Sequence, residues 1–268
     1  MSMKKVLLGL SILTLVGTGI FPLSGCGQPV TGVGTEPTSA VSIRPDLPLL
    51  DKETHDPLET AYFALGWFWG SDSQFGSIEG VIRTRVGYSG GTTASPTYYN
   101  IGNHSETLQV DYDPTIVSYE QLLLAFWSGH DATSPAGTAQ YRSAIFYTTD
   151  QQKKLAIEGK QAAEVRAGKI IHTDIEPFSV FYTAEDYHQK YYLRHTPGVV
   201  NDLYAIYPDP ADFRDSTAAA RLNGYIGGHG DADTLEKQID SLGLTETGKT
   251  VLHQITDAGL APVCPVIN

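Results

Sequence analysis

Ala61-Tyr62-Phe63-Ala64-Leu65-Gly66-Trp67-Phe68-Trp69-Gly70 decides how the rest of the chain is read. The apolar run through Tyr62, Phe63 and Leu65 predicts a buried strand. Gly66 and Gly70 punctuate it, and Ser71-Asp72 follow as a helix start. A strand that turns through glycines into a helix brings main-chain N–H groups and the positive helix end to one place. Trp67, Phe68 and Trp69 stand between the glycines. Two readings are open for them, plain hydrophobic core or an aromatic-walled pocket at a helix N-terminus.

Outward from that stretch, the chain has 268 residues, enough for one or two domains with a sizeable core. The formal net charge is −12, which argues against a nucleic-acid partner. There are two cysteines, Cys26 and Cys264, too few for a disulfide framework or a zinc site, and no metal site is expected.

Residues 1–25 read as an export signal. Lys4 and Lys5 form a positive start, and Val6 to Leu15 is apolar but too short to span a bilayer comfortably. Leu23-Ser24-Gly25-Cys26 resembles the lipobox of bacterial lipoproteins, which implies lipidation of Cys26 and a membrane partner through that anchor. The implied location is the bacterial cell envelope, with the outer membrane favoured. An ordinary signal peptide with an incidental cysteine is the alternative. Residues 26–58 then read as lipidated cysteine and flexible tether, being rich in Gly, Pro, Thr and Ser.

From Glu59 onward strands and helices alternate. Strands are expected over Val81–Gly91, Glu106–Asp113, Tyr141–Tyr147 and Ile170–Ile175. Helices are expected over Ser118–Ser128, with Ser118 and Gln121 as a capping box, from Thr149 or Asp150 to Ala167, and over Ala184–Leu193. The pattern indicates an α/β (α+β) fold. A domain over 59–210 would be followed by a helical extension and tail over 211–268, with helix candidates Phe213–Tyr225 and Asp233–Leu242. Gly87-Tyr88-Ser89-Gly90-Gly91 is a turn without phosphate-loop spacing.

Gly66, Phe68, Trp69 and Gly70 resemble the Gly-Cys-Phe-Trp-Gly signature of the A-type methionine sulfoxide reductases, whose cysteine is the nucleophile. Further matches are Arg85–Gly91, Pro96–Tyr98, His104–Glu106, Tyr112–Pro114, Gln140–Ser143 and Glu185–Lys190, in one order. The resemblance covers roughly 60–195. It implies a mixed sheet flanked by helices. The implied activity is reduction of methionine-S-sulfoxide, free or in oxidised proteins, with no bound cofactor and a thioredoxin-like protein as external thiol reductant. Glu106 matches the family's acid, which burial can keep protonated. Tyr98 and Tyr141 match its two phenols, each a donor to the sulfoxide oxygen. Phe68 and Trp69 match the wall around the methyl group. Ala136 stands where many members carry an aspartate, and the loop between Tyr98 and Glu106 is short.

The nucleophile position holds Trp67. Indole has no lone pair comparable to a thiolate's and forms no sulfenic acid, so the chain as written should be inactive. Three explanations stand side by side: a non-catalytic homologue that binds methionine sulfoxide or peptides, a selenocysteine codon (UGA) rendered as tryptophan, and a single-base change from a cysteine codon. Cys264, in Pro262-Val263-Cys264-Pro265, matches by its place near the C-terminus the cysteine with which family members often resolve the oxidised nucleophile.

Overall fold

A computed structural model describes residues 46–230 and 232–259. The export segment, Cys26 and Cys264 lie outside the described residues. Strand β1 is Glu59–Leu65, followed by helix α2, Phe68–Gly76. The short helix α1, Leu49–Lys52, precedes them. Strands β2 (Val81–Ser89) and β3 (Ser105–Tyr112) come next, then α3 (Tyr119–Ser128), β4 (Ser143–Tyr147) and α4 (Asp150–Ala167). Strands β5 (Thr173–Pro177) and β6 (Phe181–Thr183) complete a six-stranded sheet of order β5-β4-β1-β3-β2-β6. All its pairings are antiparallel except β4 with β5. That pair is joined through α4, the kind of crossover a parallel pair requires.

The strand order places β1 at the centre of the sheet, beside β3 and β4. Phe63 of β1 packs against Phe75 of α2 and Phe126 of α3 with ring centroids 5.3 and 5.4 Å apart. Ser118 caps α3, accepting from the Gln121 main chain while Gln121 reaches back to the Ser118 N–H, so the capping box forms as its spacing implies. Thr149 caps α4 by accepting from the Gln152 N–H.

The helical region contains α5 (Tyr191–Arg194), α6 (Pro197–Ile206), α7 (Pro210–Asp215), α8 (Thr217–Ile226), α9 (Ala232–Gln238) and α10 (Glu246–Asp257). Its own core is built from Leu193, Val199, Leu203, Phe213, Leu222 and Leu252. Helix α8 is buried along its whole length and lies on α2. A Cβ at Gly76 would overlap the Ala220 carbonyl oxygen, so glycine there permits the close approach of the two backbones.

Several expectations need correction. Helix α2 begins at Phe68 rather than at Ser71-Asp72, with Trp67 as its N-cap. Tyr141 lies in a 3-10 turn, Ala139–Tyr141, ahead of β4 rather than in the strand. Ala184–Leu193 is not one helix: a 3-10 turn over Asp186–His188 is followed by Lys190 in the left-handed region at φ 54°, which ends one turn and starts α5. The candidate Phe213–Tyr225 divides at Ser216, whose hydroxyl caps α8 by accepting from the Ala219 N–H. Helix α10 falls inside the helical extension expected over 211–268, and α6 lies ahead of it, where no helix is expected. Residues 46–58, expected as tether, include α1, whose Asp51 accepts hydrogen bonds from Tyr207 and Ser216 at 2.7 and 2.8 Å.

Candidate functional site

The site is assembled where β1 turns into α2. Gly66 has φ +91°, a conformation that favours glycine, and nothing lies within 4 Å of the place a Cβ would occupy. The backbone angle, and not crowding, therefore sets the residue. One residue later Trp67 is the N-cap, and its side chain makes no capping hydrogen bond. A side chain placed there stands over the positive end of α2.

Glu106 of β3 comes up beneath that helix end. The Phe68 N–H donates to its Oε2 at 3.0 Å, and Gln140 Nε2 donates to its Oε1 at 2.8 Å. Glu106 is 3% exposed. Burial pushes its carboxyl up to about 7, and the bonds from Gln140 and Phe68 hold back part of that rise. Close to neutrality this carboxyl can both keep and give a proton.

Tyr98 arrives on the loop after β2. Its main-chain N–H donates to Glu185 Oε1 at 3.0 Å, and Glu185 Oε2 accepts from the Tyr88 hydroxyl at 2.8 Å. His104, fully buried, closes the loop by accepting from the Gly91 N–H at 3.1 Å through Nδ1, with Nε2 2.8 Å from the Thr93 carbonyl oxygen. Tyr141 follows Gln140 directly. Burial first, and then the negative charge on Glu106, push the Tyr141 phenol up to about 12. It is a neutral donor at ordinary pH.

The aromatic wall is held from behind. Trp69 Nε1 donates to His188 Nδ1 at 3.1 Å, and the indole stacks on Tyr191 at 3.7 Å and 10°. The His188 ring lies 5.0 Å from Phe68 and 4.6 Å from Tyr98, centroid to centroid. Burial lowers its pKa to about 4, so it is a neutral imidazole with the proton on Nε2.

Trp67, Phe68, Trp69, Tyr98, Glu106 and Tyr141 line one cavity of about 10 Å³. That is room for about one water molecule. The Trp67 indole is 41% exposed and tilts against Tyr141 at 6.2 Å. The structure thus brings together all six residues singled out around the Gly66–Gly70 turn. Gln140, Glu185, His188 and Tyr191 were given no role from sequence. Gln140, Glu185 and His188 stand inside matched motifs, but their task is to orient other side chains, which a motif does not display. Among the described residues no cluster of His, Cys, Asp and Glu could hold a metal ion.

What this arrangement can do is offer a proton from a buried carboxyl to an oxygen in a small aromatic-walled cavity at a helix N-terminus. It defines a site in which a proton-holding carboxyl and two phenols face aromatic side chains beside a helix N-terminus. The model of the peptide methionine sulfoxide reductase family matches residues 59–222, and that of the selenoprotein methionine sulfoxide reductase A helical domain matches 210–255. A peptide methionine sulfoxide reductase of Drosophila melanogaster is 41% identical over 191 residues, covering 70% of this chain and 76% of that protein. The MsrA of Methanosarcina mazei is 46% identical over 147 residues, covering 50% and 69%. Methionine sulfoxide reductase A of Corynebacterium diphtheriae aligns in space at 34% identity with a TM-score of 0.49, over 54% of this chain and 77% of that one. The chain belongs to the peptide methionine sulfoxide reductase family.

Proposed function

We propose that this protein is a peptide-methionine (S)-S-oxide reductase whose working form carries selenocysteine or cysteine at position 67. The observation that carries the reading is the state of everything around that position. A carboxyl with a pKa near 7, two phenols and the Phe68–Trp69 wall converge on one cavity, and residue 67 caps the helix beside them. A scaffold that had lost its chemistry has no use for a buried Glu106, which is costly to keep. The description of the helical-domain model, a selenoprotein reductase, supports the selenocysteine form over a plain substitution.

The selenolate or thiolate attacks the sulfoxide sulfur. Glu106 supplies the proton that the oxygen gains, and Tyr98 and Tyr141 donate to that oxygen as its charge grows. The substrate S–O bond breaks as the hydroxyl oxygen bonds to the selenium or sulfur of residue 67, the transient bond between the two chalcogens breaks to release the thioether, and residue 67 ends as the selenenic or sulfenic acid, oxidised by two electrons. A second thiol then displaces water to give a selenenylsulfide or disulfide, and an external dithiol of the thioredoxin type returns both electrons. Cys264 is the candidate for that thiol. The substrates are oxidised methionines of envelope proteins, reached from a lipid anchor on Cys26; Lys4, Lys5, the apolar Val6–Leu15 and Leu23–Cys26 support that placement.

As written, Trp67 supplies no nucleophile. The cavity beside it has room for about one water molecule. The second reading, a binding protein without turnover, rests on the ordinary backbone of Trp67, φ −64° and ψ 120°, which shows no strain from the larger side chain. Mass spectrometry of the peptide containing residue 67, from protein made in its natural host, separates the two. Selenocysteine or cysteine is the expected residue. Tryptophan there would overturn the reductase reading and leave the binding protein.

A further inference from the structure

Asp72 and Lys190 form an ion pair at 3.2 Å with both side chains fully buried. Neither residue lines the cavity; in the sequence Asp72 reads only as part of a helix start and Lys190 only as the end of a matched motif. Their partners are unusually complete. The Lys190 ammonium donates to Asp72 Oδ1 and, at 2.6 Å, to the Thr84 carbonyl oxygen. Asp72 Oδ2 accepts the Lys190 main-chain N–H at 2.9 Å, and Oδ1 also accepts from the Thr84 hydroxyl.

The placement of the pair is what carries the inference. Asp72 lies one helical turn after Phe68 on α2, so it moves rigidly with Phe68 and Trp69. Lys190 follows His188 by two residues and precedes Tyr191 by one. His188 accepts from Trp69 Nε1, and Tyr191 stacks on the same indole. Each half of the aromatic wall is therefore attached to one member of the pair. Lys190 holds φ 54°, a conformation that side-chain-bearing residues adopt only under constraint. Asp72 supplies the constraint by accepting its main-chain N–H. The left-handed residue lies between the turn that carries His188 and the helix that carries Tyr191.

We infer that the Asp72–Lys190 pair is a positioning clamp that sets the spacing between the Phe68–Trp69 wall and the His188–Tyr191 support. It thereby tunes affinity for the methyl sulfoxide group rather than the rate of the chemical step. A buried pair is weak evidence for a stability role, since apolar residues of similar volume often serve stability as well; a role in holding one geometry is the alternative it leaves. The inference rests on the reductase reading, but part of its test does not.

The test uses the full chain carrying Trp67→Cys as parent, in which Trp69 and Trp127 are the remaining tryptophans. The double variant Asp72→Asn/Lys190→Met removes both charges together, and Asp72→Asn alone removes the carboxylate while keeping an amide oxygen to accept the Lys190 main-chain N–H and leaving a lysine that can shed its proton. With methionine-S-sulfoxide and dithiothreitol, KM is expected to rise about tenfold in the double variant with kcat within about twofold, and to rise less in the single one. The near-UV circular dichroism of the stacked Trp69 should weaken in the same order. An unchanged KM in a folded double variant of an active parent overturns the clamp and leaves the reductase reading standing. An inactive folded parent overturns the reductase reading, and the clamp is then judged on the Trp69 signal, which must still weaken. If the double variant does not fold, Asp72→Asn alone decides by the same two readouts.

Discussion

The Phe68 main-chain N–H, at the first turn of α2, donates to Glu106 Oε2 at 3.0 Å, so the acid of the site is bound to the helix end that residue 67 caps. A single hydrogen bond between a helix and a strand thus holds the Glu106 carboxyl beside position 67. Burial lifts the Glu106 carboxyl to about 7, from an ordinary glutamate near 4.5. In the Trp67→Cys protein, kcat/KM for methionine-S-sulfoxide should fall as pH rises through about 7, because the acid form is then lost. Glu106→Gln should lower kcat/KM about 10²–10³-fold and remove that limb of the profile. The same shift acts on stability. The folded carboxyl binds its proton more tightly than the unfolded one, so stability is greatest below about 4.5 in this respect and is lost as pH rises through about 7. At pH 8 Glu106→Gln should stabilise the fold by up to ~3 kcal/mol in chemical denaturation.

Gln140 donates to Glu106 Oε1 at 2.8 Å and favours the ionised form. Gln140→Leu should therefore raise the Glu106 pKa further. The alkaline limb of the rate profile should move to higher pH, where a bond without influence on the carboxyl would leave it in place.

His188 behaves in the opposite sense. Burial lowers its pKa to about 4. The stability it contributes is present above its unfolded value near 6.5 and is lost as pH falls through about 4. Between those limits the protein should lose up to ~3 kcal/mol on this account. His188→Gln keeps an acceptor for Trp69 and does not titrate, so its thermal midpoint should change less between pH 6.5 and 4.

The sequence made much of the site legible, for identifiable reasons. Gly66 announces a turn because a positive φ is costly for other residues, and the aromatic run behind it fixes which strand feeds it. Ser118 and Gln121 predict their helix because a capping box is local chemistry. The broken turn around Lys190 was not legible: its left-handed backbone depends on Asp72, 118 residues away. Tyr141 reads as the start of a strand from its neighbours Ser143–Tyr147, yet a 3-10 turn holds it at the cavity. The family match covers 59–222 and names the chemistry, whereas the roles of Gln140 and Glu185 emerge only from their hydrogen bonds.

Cys264 lies outside the described residues, and its role is open to a direct chemical test. In Trp67→Cys, one addition of methionine-S-sulfoxide without reductant should produce a disulfide between positions 67 and 264, seen by peptide mapping. Cys264→Ser in that background should leave the first turnover intact and cut thioredoxin-supported turnover at least tenfold. A first turnover with no such disulfide would remove Cys264 as the resolving thiol.

The most direct test of position 67 is a single-turnover measurement on folded Trp67→Cys with racemic methionine sulfoxide and no reductant. About one methionine per protein should be released, with only the S epimer consumed and residue 67 oxidised. The protein with Trp67 should release none. A folded Trp67→Cys protein that also releases none would contradict the reductase site and leave a cavity that binds without turning over.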